Sequence, residues 1–116
     1  MGIFSRNRRE DKTYPLVIAY ASAKDAHSVW MLTYWLREPD PGAIDWDRRL
    51  CKVASLVMSK LFHDMSRQRE IAYALGMCDG DVVVISAMHP GYGHPIVRGR
   101  GVIGVEGLDV DYAMCE

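Results

Sequence analysis

Apolar positions along this chain follow two different periods. Residues 15–21 (Pro-Leu-Val-Ile-Ala-Tyr-Ala) are short, branched and opened by a proline, which predicts a buried strand. Ser22 and Asp25 follow three positions apart, the spacing of a capping box in which a hydroxyl and a carboxylate accept from the free amides of a helix start. That spacing predicts a first helix over 23–37, stopped by Pro39 and Pro41. Residues 29–36 (Val-Trp-Met-Leu-Thr-Tyr-Trp-Leu) are also rich in strand-favouring side chains, so the alternative is a hairpin with a strand over 28–37. As a helix, this tract is apolar all round its axis and has to be covered on several sides, by its own domain or by a second subunit. Trp30, Tyr34 and Trp35 are the candidate interface anchors.

From 43 to 75 the period is helical. Trp46, Leu50, Val53, Ala54, Val57, Met58, Leu61, Met65, Ala72 and Leu75 recur at steps of three and four, with Asp45, Arg49, Lys52, Lys60, His63, Arg67 and Glu70 opposite them. Gly76 supplies the stop, because glycine enters the left-handed cap freely. Asp64 and Gln68 interrupt the stripe, where an unpaired polar group is costly. Either Asp64 caps a second helix after a kink, or this end of the stripe faces a subunit contact that includes Asp64 and Gln68. The local cap is the favoured reading.

After Gly76 the period returns to that of strands. Residues 81–87 (Asp-Val-Val-Val-Ile-Ser-Ala) read as a central strand, and 101–105 as a second. Residues 108–114 alternate strictly, with Leu108, Val110, Tyr112 and Met114 on one face and Asp109 and Asp111 on the other. This predicts an exposed strand protected by its charges, reached through a turn at Glu106 and Gly107. The predicted fold class is α+β, a two-layer sandwich of a mostly antiparallel sheet with one short and one long helix on one face. The alternative is ββαββ with 28–37 as a strand.

Composition narrows the class. The 116 residues are 49% hydrophobic and 25% charged, enough for one globular domain with its own core. Fourteen Lys and Arg against 15 Asp and Glu leave a net charge of −1, which argues against a protein that coats nucleic acid. Residues 5–12 lack apolar side chains and carry Arg6, Arg8, Arg9 and Lys12. They predict a flexible basic tail over 1–13, ahead of a single domain over 14–116. Three cysteines, Cys51, Cys78 and Cys115, are scattered without CxxC spacing, which suggests free thiols in a reducing cytosol. With no apolar signal-peptide core at the start and no apolar run near 20 residues, the chain reads as soluble and cytoplasmic.

The chemistry-bearing stretch is 89–101: His89-Pro-Gly-Tyr92-Gly-His94-Pro-Ile-Val-Arg98-Gly-Arg100-Gly. A long connection rich in glycine turns tightly and brings amides near a ligand. Arg98 and Arg100 can fork onto phosphate or carboxylate oxygens, while Tyr92 can stack on a base. His89, Tyr92, His94, Arg98 and Arg100 are therefore the candidate ligand-binding residues. The stretch has neither the Gly-Lys-Ser/Thr of a phosphate loop nor a dinucleotide fingerprint. His89 and His94 lack a defined third metal ligand among Cys78, Asp81 and His63, so no metal or cofactor is expected.

These features point first to a non-catalytic, homo-oligomeric binding protein that holds a small anion, such as a nucleotide, with the 89–101 loop. The alternative is an inhibitor or adaptor that contacts a protein target through the same loop and an acidic edge strand. A third possibility is a small hydrolase using His89 and His94, with Cys78 or Ser86 as nucleophile and Asp25 or Asp81 orienting the base.

Overall fold

The computed structural model describes residues 13–25, 27–37 and 46–111. In chain order the elements are β1 (Thr13–Ser22), β2 (Val29–Arg37), α1 (Trp46–Phe62), α2 (Met65–Ala74), β3 (Val82–Met88), β4 (Val97–Val102) and β5 (Leu108–Asp111). They build a five-stranded sheet of order β2-β1-β3-β4-β5, antiparallel at every pairing. This is the expected α+β class, with two helices against the sheet. The expected basic tail, the stop at Pro39 and Pro41 and the end of the last strand fall in 1–12, 38–45 and 112–116, outside the described residues.

The predicted helix over 23–37 is corrected: 29–37 forms a strand, as in the hairpin alternative. Ser22 and Asp25 do accept from nearby amides, but as turn formers. Ser22 Oγ takes the Lys24 N–H at 3.2 Å, and Asp25 Oδ1 takes the His27 N–H at 2.9 Å. The same side-chain chemistry stabilises a helix start and a tight turn. The branched and aromatic side chains after it suit a strand, and pairing with β1 fixes it as one.

The long helical stretch is a pair. Asp64 is the N-cap of α2, its carboxylate accepting from the Arg67 amide at 3.3 Å. Gln68 is buried and engaged inside the chain at both ends of its amide: Nε2 donates to the Phe62 carbonyl at 3.1 Å and Oε1 accepts from the Gly104 amide at 2.9 Å. This removes the reason for placing Gln68 at a subunit contact, since the polar group is satisfied locally. Gly76, at φ +68°, closes α2 as expected, with the Met77 amide reaching back to the Ala72 carbonyl.

Strand register assigns the faces, because paired residues share one. Trp30, Tyr20, Ile85, Gly99 and Val110 form one row on the helix side. Beneath the sheet, Leu50, Ala54, Met58, Leu61 and Phe62 of α1 and Ile71 of α2 join Leu16, Ile18, Val83 and Val97 in the core. Helix α1 packs over β3, β4 and β5. The inner side chains of β2 (Trp30, Leu32, Tyr34 and Leu36) are only half-buried.

Cys51 is disulfide-bonded, whereas Cys78 is an exposed free thiol. The expectation that all the thiols are free is thus corrected at Cys51. Spacing along the chain does not reveal which sulfurs meet in space, and the cysteines no longer support a reducing compartment. Among the described residues, no helix is long and apolar enough to cross a membrane.

Candidate functional site

The stretch 89–101 divides into a loop and a strand. Residues 97–102 form β4, with Val97, Gly99 and Gly101 buried and Arg98 and Arg100 exposed. Two glycines at inward positions hide the alternation from a sequence reading, because they carry no apolar side chain to mark the buried face. The β3–β4 connection is therefore only 89–96, held at its base by the Ile96 amide on the Ala87 carbonyl at 2.8 Å.

The loop's rings form a ladder that starts in the core. His89 packs against buried Tyr14 with centroids 5.0 Å apart, Tyr92 meets His89 edge-on at 5.6 Å, and His94 meets Tyr92 at 6.1 Å. His89 Nδ1 accepts from the Gly91 amide at 2.9 Å, so this nitrogen carries no proton and the turn is locked around the ring. The Tyr92 hydroxyl donates to the carboxylate of Asp47, in the first turn of α1. That hydrogen bond, with a smaller contribution from burial, pushes the Tyr92 phenol up to about 12. At neutral pH Tyr92 is thus a donor and a stacking surface, not a base. Sequence reading missed Asp47, since nothing in its spacing connects it to a loop 45 positions away.

Arg98 and Arg100 occupy a different surface. They lie on the sheet face away from the helices, in the rows Met31-Ala19-Ser86-Arg98-Asp111 and Val29-Ala21-Val84-Arg100-Asp109. The structure therefore brings His89, Tyr92 and His94 together and sets both arginines apart from them. A shallow depression of about 530 Å³ joins Arg98 and Arg100 to Asp109 and Asp111. Each guanidinium has a carboxylate-bearing residue directly across the ladder, so the patch is formally neutral, with alternating sign. The rest of this face mixes Thr33, Arg37 and Ser86 with apolar side chains, of which Val29, Met31 and Trp35 are 48%, 60% and 64% exposed.

The candidate nucleophiles Ser86 and Cys78 lie on other parts of the fold than the His89 ring. Ser86 shares the open face with Arg98, whereas the His89 ring turns to Tyr14 on the core side. Cys78 and Asp81 precede β3 and His89 follows it, which separates them by roughly 20 Å of extended chain. Asp81 accepts from the Cys78 amide at 2.9 Å and lies 3.7 Å from Lys24. Asp25 is engaged in its own turn. His63 bridges the Ser59 carbonyl and the Gly107 amide, fastening the β4–β5 turn to the end of α1. Among the described residues, no three His, Cys, Asp or Glu side chains gather as a metal site.

Two further polar atoms are enclosed: among the described residues, the Tyr20 hydroxyl and Arg67 Nε have no hydrogen-bond partner, and burial pushes the Tyr20 phenol up to about 12. Tyr20 also meets Trp30 edge-on at 5.8 Å. No family model, curated protein or solved structure matches this chain.

Proposed function

We propose that this chain is a small non-catalytic binding protein that works as a homo-oligomer, with the open face of its sheet and the rings of the β3–β4 loop as contact surfaces. The observation that carries the reading is β2: Val29, Met31 and Trp35 are largely exposed on one side, and the side chains on its other side are half-buried. Single exposed apolar residues are ordinary, but three on the same side of one edge strand favour a contact surface. Separation of Ser86, Cys78 and Asp81 from His89 favours binding over hydrolysis.

Arg98 and Arg100 supply forked donors for a small anion such as a nucleotide. Asp109 and Asp111 oppose that anion, so self-association has the stronger physical support. Calorimetry with a nucleotide panel tests the ligand part. Heat that disappears in Arg98→Ala and Arg100→Ala supports it, and silence from the whole panel removes it. Light scattering coupled to size exclusion tests assembly, where a mass of 13.1 kDa at every concentration defeats the oligomer.

A second reading rests on the outer end of the ring ladder, at half-buried Tyr92 and exposed His94, and on the acidic strand β5. It makes the chain an inhibitor or adaptor for a protein target. It requires a stable complex with a defined target, lost when 89–95 becomes a Gly-Ser linker.

A further inference from the structure

We infer that β2 pairs edge to edge with β2 of a second copy across a two-fold axis at Thr33, joining two five-stranded sheets into one of ten strands. This inference rests on the self-association reading above and adds its surface, symmetry and register.

The two edges of the sheet differ in how they are protected. A sheet edge presents unpaired amides and carbonyls, which proteins guard with short strands, charges, prolines or bulges. β5 has four described residues, two of them aspartates. β2 has nine residues, no proline and no charge before Arg37. Its pairing with β1 runs unbroken from Ala21↔Val29 to Thr13↔Arg37, with no bulge. Among the described residues nothing lies beyond it in the sheet. A long, regular, apolar edge of this kind is a template for another strand.

The strand is complementary to itself. An antiparallel copy centred on Thr33 pairs all nine described positions of Val29–Arg37 with one another. Met31 then faces the partner's Trp35 on the open side, covering the two most exposed large apolar side chains of β2. Leu32 faces the partner's Tyr34 on the helix side, extending the half-covered core. Such cross-strand aromatic and apolar pairs are the unit of sheet stabilisation. Arg37 meets the partner's Val29, and the two Arg37 residues lie at opposite ends, about 25 Å apart, so no like charges oppose one another. In β5, by contrast, a self-pairing centred on Asp109 or Val110 sets aspartate against aspartate. An edge this long covers on the order of 500 Å² on each copy, below the about 800 Å² of a standard interface. Main-chain hydrogen bonds along the new ladder add to it.

Only the residue on the axis meets itself, and this makes the register testable by charge. Thr33 is exposed, so Thr33→Arg and Thr33→Glu leave the protomer's packing intact. The wild-type chain is expected to sediment at twice 13.1 kDa at high concentration. Each charged variant alone, at low salt, weakens the dimer by about tenfold or more, and an equimolar mixture restores it as a one-to-one heterodimer in native mass spectrometry. A dimeric wild type whose two variants also stay dimeric unmixed overturns the edge pairing but leaves self-association standing, as for sheets stacked face to face. A monomeric wild type overturns both and leaves the edge to a strand of another protein. Hydrogen exchange of the wild-type chain gives an independent reading: β2 amides gain protection with concentration and β5 amides do not. Unchanged β2 exchange across the dimer transition overturns the inference even if the variants misfold.

Discussion

The ring of Phe62, at the end of α1, lies where a side chain on Gly101 of β4 would have to be. A Cβ built at Gly101 falls within 3.0 Å of the ring, and one built at Gly99 comes 3.1 Å from Met58 Cε. The two glycines thus allow α1 to sit down on β4, and they hold the β4 arginines on the opposite face.

Gly101→Ala therefore forces Phe62 out of its rotamer or lifts α1, at a cost of about 1–3 kcal/mol. Phe62→Leu in the same chain returns part of that loss, because it vacates the contested space. A double-mutant cycle in urea is the check, and additive losses mean the two residues are not coupled.

Gln68→Ala unties both the Phe62 carbonyl and the Gly104 amide. Leaving the buried Phe62 carbonyl unpaired costs about 1–3 kcal/mol, whereas water reaches the amide of exposed Gly104. The expected result is a lower Tm together with faster exchange of the Gly104 amide. An unchanged Gly104 exchange rate would show that the clip is dispensable.

Tyr20 sets an alkaline limit. Below pH 10 both the folded and the unfolded chain keep this phenol protonated, so it adds no pH dependence. Between pH 10 and about 12 the unfolded chain loses the proton and the folded chain retains it, so stability falls as pH rises. Two pH units correspond to about 2–3 kcal/mol. Tyr20→Phe should flatten this limb without loss at pH 7, since the hydroxyl has no partner among the described residues. A Tyr20→Phe chain with the same alkaline slope would contradict the assignment.

Tyr92 reports its contact with Asp47 by its own titration. Its phenol, held near 12 by the carboxylate, should move toward its ordinary value of 10 in Asp47→Asn, as read from tyrosinate absorbance against a Tyr92→Phe blank. The overall stability change should be small, because solvent screens an exposed pair. Loosening should appear instead as faster exchange of the loop amides around Tyr92.

Local chemistry was legible wherever neighbours in sequence are neighbours in space. Asp64 capping a helix, Gly76 ending one, the central strand near 82–88 and the Leu108/Asp109 alternation of β5 all depend on contacts within a few residues. The residues 29–37 show the limit. Their composition permits a helix or a strand, and the capping-box spacing of Ser22 and Asp25 serves a turn equally well, so pairing with Thr13–Ser22 decided the matter. Glycine at 99 and 101 hid β4 because an absent side chain leaves no hydrophobic mark, although its absence is what the ring of Phe62 requires. The tertiary structure alone separated Arg98 and Arg100 from His89, Tyr92 and His94, since a strand sends alternate side chains to opposite faces. It alone brought Asp47 to Tyr92, because sheet register and helix packing fix such distant contacts, and no local spacing encodes them.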